Sequence, residues 1–251
     1  ACSYGFDNDD MQTIVESSSF YTDTTDMLAW YKFSGENGKT DSSGNDRHAT
    51  DYGTPVLSET SLSITKDNYL KLPDNIIDHT TDITFSFWYR FDNEDFDYAR
   101  LLDFGESTSI SPHANDIIVT RHAKGSQLRF FIDNHRLYLE FGHTTSGDLI
   151  HVTWVIKKDN TWIIYKNGVE IHNAVEKYPF TNTYYYSYLG KSNYSGEFNR
   201  THKITLRDFR IYNRALIPEE VKELYRRPAE LDSFKICKVP NSSLLSFAVD
   251  S

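Results

Sequence analysis

No stretch of this chain is apolar for the roughly 18–20 residues that a membrane-crossing helix needs, so no transmembrane segment is expected in it. Basic clustering is also missing. Asp and Glu outnumber Lys and Arg by 36 to 26, which leaves a net charge of −10. Phosphate backbones are bound through clustered Lys and Arg, so this balance speaks against nucleic acid as a partner. The nine histidines are dispersed, none at the spacing of zinc ligands. There is no His-Glu-x-x-His, no Gly-x-Ser-x-Gly and no phosphate-cradling Gly loop. Methionine and cysteine occur twice each.

The two cysteines, Cys2 and Cys237, sit near opposite ends. A disulfide joining them suits an oxidising compartment. Two buried free thiols, or lipid attachment at Cys2 after Ala1, are the alternatives. Three Asn-x-Ser/Thr sequons, beginning at Asn193, Asn199 and Asn241, are about as many as chance gives a chain this rich in those residues.

What is present is aromatic and alternating. Phe, Trp and Tyr make up 15% of the residues, and flat or β-branched side chains pack well on pleated sheets. Ile83, Phe85, Phe87, Tyr89 and Phe91 recur at every second position, as one face of a strand should. The runs 128–132 and 137–141 suggest a hairpin around Asp133-Asn134-His135. Asn167-Gly168 between Trp162-Ile163-Ile164-Tyr165-Lys166 and Val169-Glu170-Ile171-His172 is a type I′ hairpin signal. One helix is expected from Pro218, with Glu219 and Glu220 in its first turn and a Val221, Leu224, Tyr225 stripe. Nothing repeats at a fixed period and no Gly-, Pro- or Ser-rich linker divides the chain. The expected organisation is an arm or edge segment at 1–26, one domain at 27–230, and a terminal strand or tail at 231–251. An all-β chain of this length fits one sandwich domain.

Several stretches, in order, resemble the laminin G-like jelly roll of the concanavalin A-like lectin/glucanase superfamily. They are Leu28-Ala29-Trp30-Tyr31-Lys32-Phe33 with the turn Asp41-Ser42-Ser43-Gly44-Asn45, Phe85-Ser86-Phe87-Trp88-Tyr89, and His151-Val152-Thr153-Trp154 with the Asn167-Gly168 hairpin. The closing run 206–216, followed by the helix at 218–227, is the most specific piece. The resemblance departs before His48, where a second Gly is usual and Arg47 stands instead. It implies an all-β, two-sheet antiparallel jelly-roll sandwich with one short C-terminal helix, often with a bound Ca²⁺. It further implies a non-catalytic module that binds glycans or surface proteins on a secreted, cell-surface or virion protein.

For calcium, the oxygen-bearing candidates are Asp41 and Asn45 in the opening turn and Asp208 near the closing strand, which the family topology would bring together. The plainer alternative is that Asp41 and Asn45 shape an Asx turn and Asp208 caps local backbone. The acidic stretch 92–97 is a second metal candidate. For sugar, the aromatic run Tyr184-Tyr185-Tyr186-Ser187-Tyr188 offers Tyr184 and Tyr186 on a shared strand face, with Asn193 and Tyr194 in the loop beyond. The glucanase branch carries Glu-x-Asp-x-Glu on one strand, and nothing here matches it. A scaffold for protein–protein contact, as in a capsid or cell wall, is the rival reading, and a polysaccharide-active enzyme the third.

Overall fold

The computed structural model describes residues 23–77, 82–92, 98–106, 116–122, 125–142, 147–178, 184–194 and 203–226, with the backbone of two further strands at 235–238 and 245–248. The first strands are β1 (Met27–Tyr31), β2 (Thr50–Tyr52), β3 (Val56–Leu57), β4 (Leu62–Thr65), β5 (Tyr69–Leu72) and β6 (Ile83–Phe91). Next come β7 (Arg100–Gly105), β8 (Ile117–Arg121), β9 (Gln127–Ile132), β10 (His135–Glu140) and β11 (Ile150–Ile156). They are followed by β12 (Thr161–Lys166), β13 (Val169–Val175), β14 (Tyr186–Leu189), β15 (Lys203–Tyr212) and the helix α1 (Pro218–Arg226). The last two, β16 (Lys235–Lys238) and β17 (Leu245–Ala248), pair with each other. The side chain of Cys237 in β16, and all of Cys2, lie outside the described residues, as does their pairing.

Two antiparallel sheets carry the fold. One runs β13-β12-β11-β6-β15-β4-β3 with β1 also on β15; the other runs β10-β9-β8-β7-β14-β5-β2. Alternation decides which side chains meet between them. Ile83, Phe85, Phe87, Tyr89 and Phe91 of β6 and Val152, Trp154 and Ile156 of β11 face Leu102 and Phe104 of β7, Val119 of β8 and Phe130 of β9 in one core. Trp154 is packed edge-on by both Phe130 and Trp162, with ring centroids at 5.2 and 5.0 Å. At one rim the sheets are clasped by Glu176, which bonds His135 of β10 and lies 2.8 Å from His172 of β13.

The outer face of the first sheet is closed by α1. Val221 and Leu224 join Met27, Trp30, Val155, Ile163, Tyr165 and Tyr212 in a second, smaller core. Tyr225 stacks on Trp88 at 5.5 Å. Glu220 fixes the helix start, accepting from Ile217 N at 2.9 Å and from both terminal nitrogens of Arg214 at 2.7 and 2.8 Å. The Asn167-Gly168 turn has φ of 50° and 73°, as a type I′ turn demands. Gly168 is required twice over, because a Cβ there would meet the Tyr225 ring at 3.2 Å.

Two local expectations are corrected. His135 belongs to β10, pairing with Ile132, so the turn is Asp133-Asn134 alone, both at positive φ. Tyr184 does not share a face with Tyr186: it precedes β14, gives its carbonyl to Asn75 N at 2.9 Å, and turns into the core. Outside a paired strand nothing enforces the two-residue alternation on which the expectation rested.

Candidate binding surface

Asp41 and Asp208 do come together, on either side of Trp30. Asp41 Oδ1 accepts from the Trp30 backbone N at 2.9 Å, and Asp208 Oδ1 accepts from the Trp30 indole at 2.6 Å. Asp41 also accepts from Ser43 N at 2.9 Å, Ser43 Oγ at 2.8 Å and Arg47 N at 3.0 Å. Burial pushes its carboxyl up, but those backbone and hydroxyl donors outweigh burial and hold it below the usual carboxylate range. Asp208 sits at positive φ in a bulge of β15 and takes Arg210 Nε at 2.8 Å and Nη2 at 3.1 Å. Asn45 donates its amide to the Met27 carbonyl at 2.7 Å.

This arrangement does not fit a calcium ion. A cation needs lone pairs turned toward it, whereas N–H and O–H donors already converge on both carboxylates and Asn45 presents its NH₂ to a carbonyl. Among the described residues, no group of three or more His, Cys, Asp or Glu is placed to hold a metal. The three residues instead pin β1 to the opening turn and to β15. Asp41→Ala is expected to lower stability by about 2–3 kcal/mol, because several buried donors lose a charged acceptor. Chemical denaturation with and without added calcium checks this, and the loss should be the same in both. Of the acidic stretch, Asp92 is bound by Arg90 Nε and Thr205 Oγ1, both at 2.6 Å. Residues 93–97 lie outside the described residues.

The sugar-site candidates separate. Tyr184 is 0% exposed and Asn193 is 4% exposed, so neither offers a surface to a ligand. Asn193 is a corner post. Its amide donates to Asp103 Oδ1 at 2.9 Å, Asp103 O at 3.2 Å and Tyr186 O at 2.8 Å, and its backbone N donates to Asp103 Oδ2 at 3.2 Å. It presses against Gly105, where any Cβ would come within 2.7 Å of its Nδ2. Tyr194 is half-buried, its N bound to Ser192 Oγ at 3.0 Å.

Tyr186 stands in company that its sequence neighbours do not announce. β14 pairs with β5 and β5 with β2, with Tyr188 opposite Lys71 and Tyr52 opposite Tyr69. Ser187 and Leu189 of β14 and Leu70 and Leu72 of β5 point inward and are buried. The intervening residues therefore gather on the outer face. Tyr52, 40% exposed, stacks on Tyr69 with centroids 5.0 Å apart and planes at 7°. Tyr188 meets Tyr69 edge-on at 5.5 Å, and Tyr186 lies 6.5 Å from Tyr188. The Lys191 ammonium rests 4.8 Å from the centre of Tyr69, with no carboxylate partner among the described residues. Lys71 reaches the Tyr186 ring at 6.0 Å and pairs with Asp74 at 2.9 Å. The phenols feel one another: burial first, then Tyr69, Tyr52, Tyr186 and Asp74, push Tyr188 up to about 12. Four tyrosines, two lysines and a carboxylate thus form a polar-edged aromatic platform, in the mixture that recognises a ring with hydroxyls.

The chain resembles known proteins in fold. No curated protein sequence matches it. Botulinum neurotoxin type C, whose way into cells depends on two ganglioside molecules, superposes with a TM-score of 0.64 at 15% identity. That match covers 81% of this chain and 51% of the toxin chain. The binding domain of botulinum neurotoxin DC, solved with rat synaptotagmin II, gives 0.63 at 15% identity over 81% and 52% of the two chains. The receptor-binding domain of the C/D mosaic serotype gives 0.63 at 11% identity over 81% and 52%. This chain therefore spans about half the length of those domains. A laminin G family model described as the concanavalin A-like lectin/glucanases superfamily matches residues 64–222, more than half of the chain. With its two antiparallel sheets and its ordered motifs, the chain belongs to the laminin G-like jelly rolls of the concanavalin A-like lectin/glucanases superfamily.

Proposed function

We propose that this chain is a non-catalytic recognition module that binds glycans through the tyrosine platform on β2, β5 and β14, on a secreted or surface-exposed protein. The observation that carries the reading is the Tyr52–Tyr69 stack with Tyr188 at its edge and Lys191 above it, on the outer face of a sheet. Ganglioside and synaptotagmin binding among neurotoxin domains of the same fold supports a glycan or protein partner in general. Among the described residues no helix is long and apolar enough to cross a membrane.

A glycan array probed with the purified chain, Tyr52→Ala and Tyr69→Ala tests the assignment. Each substitution is expected to weaken binding by roughly 5- to 30-fold, the loss typical of an aromatic anchor worth 1–2 kcal/mol. Tyr52→Ala should leave the fold within about 1 kcal/mol of wild type, since its ring is partly exposed and loses only its stack on Tyr69. Excess chelator is expected to leave binding unchanged. Loss on chelation would instead return attention to the acidic stretch 92–97. Equal binding by all three proteins would place the ligand elsewhere, and silence from a folded sample would favour a protein partner.

A further inference from the structure

The other flank of the same outer face holds a buried cation with no carboxylate beside it among the described residues. Arg100, Thr120, Arg129 and Tyr138 stand in one row across β7, β8, β9 and β10, each opposite the next. Arg100 is neutralised by Asp103 at 2.9 Å and bonds Thr120 Oγ1 at 3.0 Å. Arg129 has no such acidic partner among the described residues. It is 8% exposed, its Nε has no hydrogen bond, and no carboxylate among the described residues lies within ion-pair distance of it. Aromatic rings surround it instead: its guanidinium lies 5.2 Å from the Tyr98 ring and 5.7 Å from Phe131, and Arg136 sits over that same Phe131 ring at 5.7 Å. His122 is edge-on to Tyr138 at 4.4 Å and to Tyr98 at 6.3 Å, and its buried Nδ1 is also without a partner.

A buried cation without a counter-charge is costly, and a second guanidinium nearby adds to the cost. Burial first, and then Arg100, pull Arg129 below the usual arginine range. Cation–π contacts recover part of that energy, on the order of 1–2 kcal/mol. Apart from one side-chain hydrogen bond with Tyr138, they leave Nε without an acceptor, and guanidinium N–H groups are the ones that grip planar oxyanions.

We propose that this row is an anion-binding site, in which Arg129, backed by Arg136, holds a carboxylate or sulfate group between the rings of Tyr98 and Tyr138. It is separate from the tyrosine platform and does not depend on that reading. The anion can be free or carried on a sugar, and the two sources are told apart by the probe.

The test compares wild type, Arg129→Gln and Arg129→Lys in sodium sulfate and in sodium chloride of equal ionic strength. A sulfated disaccharide and its unsulfated counterpart form the second pair. Melting temperature and the arginine Nε–Hε resonances are followed in each. Sulfate stabilises proteins generally by exclusion from their surface, so the quantity that counts is the excess of wild type over Arg129→Gln. The expected result is an excess shift of a few degrees with sulfate, lost in Arg129→Gln and partly kept in Arg129→Lys. The Arg129 Nε–Hε signal should move with the sulfated sugar and stay still with the unsulfated one. Without anion, Arg129→Gln should melt at or above the wild-type temperature, and a large drop would mean that Arg129 already has a structural partner and would overturn the proposal. So would equal sulfate responses in wild type and Arg129→Gln, or an unmoved Arg129 signal, which needs no variant to fold. A response to high sulfate alone, with none to the sulfated sugar, reduces the site to an adventitious ion only. Tyr52→Ala should leave every one of these responses unchanged.

Discussion

Asp103→Ala is expected to destabilise the protein by about 3–5 kcal/mol, the usual cost of removing one member of a buried ion pair. Asp103 is 0% exposed, and three groups depend on its carboxylate: Arg100 Nε, Asn193 N and Asn193 Nδ2. Without it, the Arg100 guanidinium is left beside Arg129, so two buried cations share a wall with no acid between them among the described residues. The post at Asn193, which ties the end of β14 to β7, loses two of its anchors at the same time. Urea denaturation with an unchanged slope and a lower midpoint is the expected signature. Asp103→Asn should recover a fraction of the loss, because an amide oxygen can still accept from Arg100 while the charge is gone. A cost under about 1 kcal/mol for Asp103→Ala would show that water reaches this cluster and replaces the acid.

Acid should weaken the fold through His151. This ring lies on the outer face of β11, beneath α1, with Nε2 2.9 Å from Ser86 Oγ, tilted against Trp88 at 5.0 Å and stacked on Tyr225 at 6.1 Å. Burial, then the guanidinium charges of Arg210 and Arg207 on β15, lower its pKa to about 3. Unfolded, the same imidazole takes up a proton near pH 6.5. Between those two values the unfolded chain binds a proton that the folded chain refuses, so stability rises with pH across that window and falls as acid is added. The loss from this group reaches on the order of 4 kcal/mol at the acid end. His151→Gln, which keeps a hydrogen-bonding group near Ser86 and removes the titration, should flatten the curve of stability against pH between about 6.5 and 4. Identical curves for the two proteins would assign the acid lability to other groups.

The legibility of the fold follows from where each strand's two faces lie. β6 could be read residue by residue, although both its faces are covered, because large apolar residues recur at every second position and Thr84, Ser86 and Arg90 fall between them. The Asn167-Gly168 turn and the Pro218 helix start were readable because their signals are local. β8 is harder, since Ile117, Ile118 and Val119 are all buried and a strand covered on both faces loses the two-residue rhythm. Of the proposed tyrosine platform, the sequence draws attention only to the run that holds Tyr186 and Tyr188. Tyr52 and Tyr69 lie far from it in sequence, and only the β2–β5–β14 pairing makes them neighbours. Arg129 gave no signal at all, because what distinguishes it is burial with no carboxylate beside it among the described residues, and that is a property of packing. Asp41 and Asp208 both bond Trp30 while Asn45 bonds Met27, and sequence could not say which way the hydrogens point there.

The pairing of β1 with β15 sets a schedule for the newborn chain. Met27 lies opposite Tyr212, and Ala29, Trp30 and Tyr31 meet Ile211, Arg210 and Phe209, so the first strand waits for nearly the last. At ribosomal speeds of about 5–20 residues per second the wait is on the order of ten to forty seconds. Throughout that interval Leu28, Trp30 and Phe33 have no sheet to enter, and the first edge stays open to whatever else is nearby. Closure of both layers thus cannot come before β15 has emerged, and it is slow in the way expected of contacts between distant parts of a chain. Substitutions in β15 should therefore show themselves first as poor yield from the cell, before any change in the melting of the molecules that do fold.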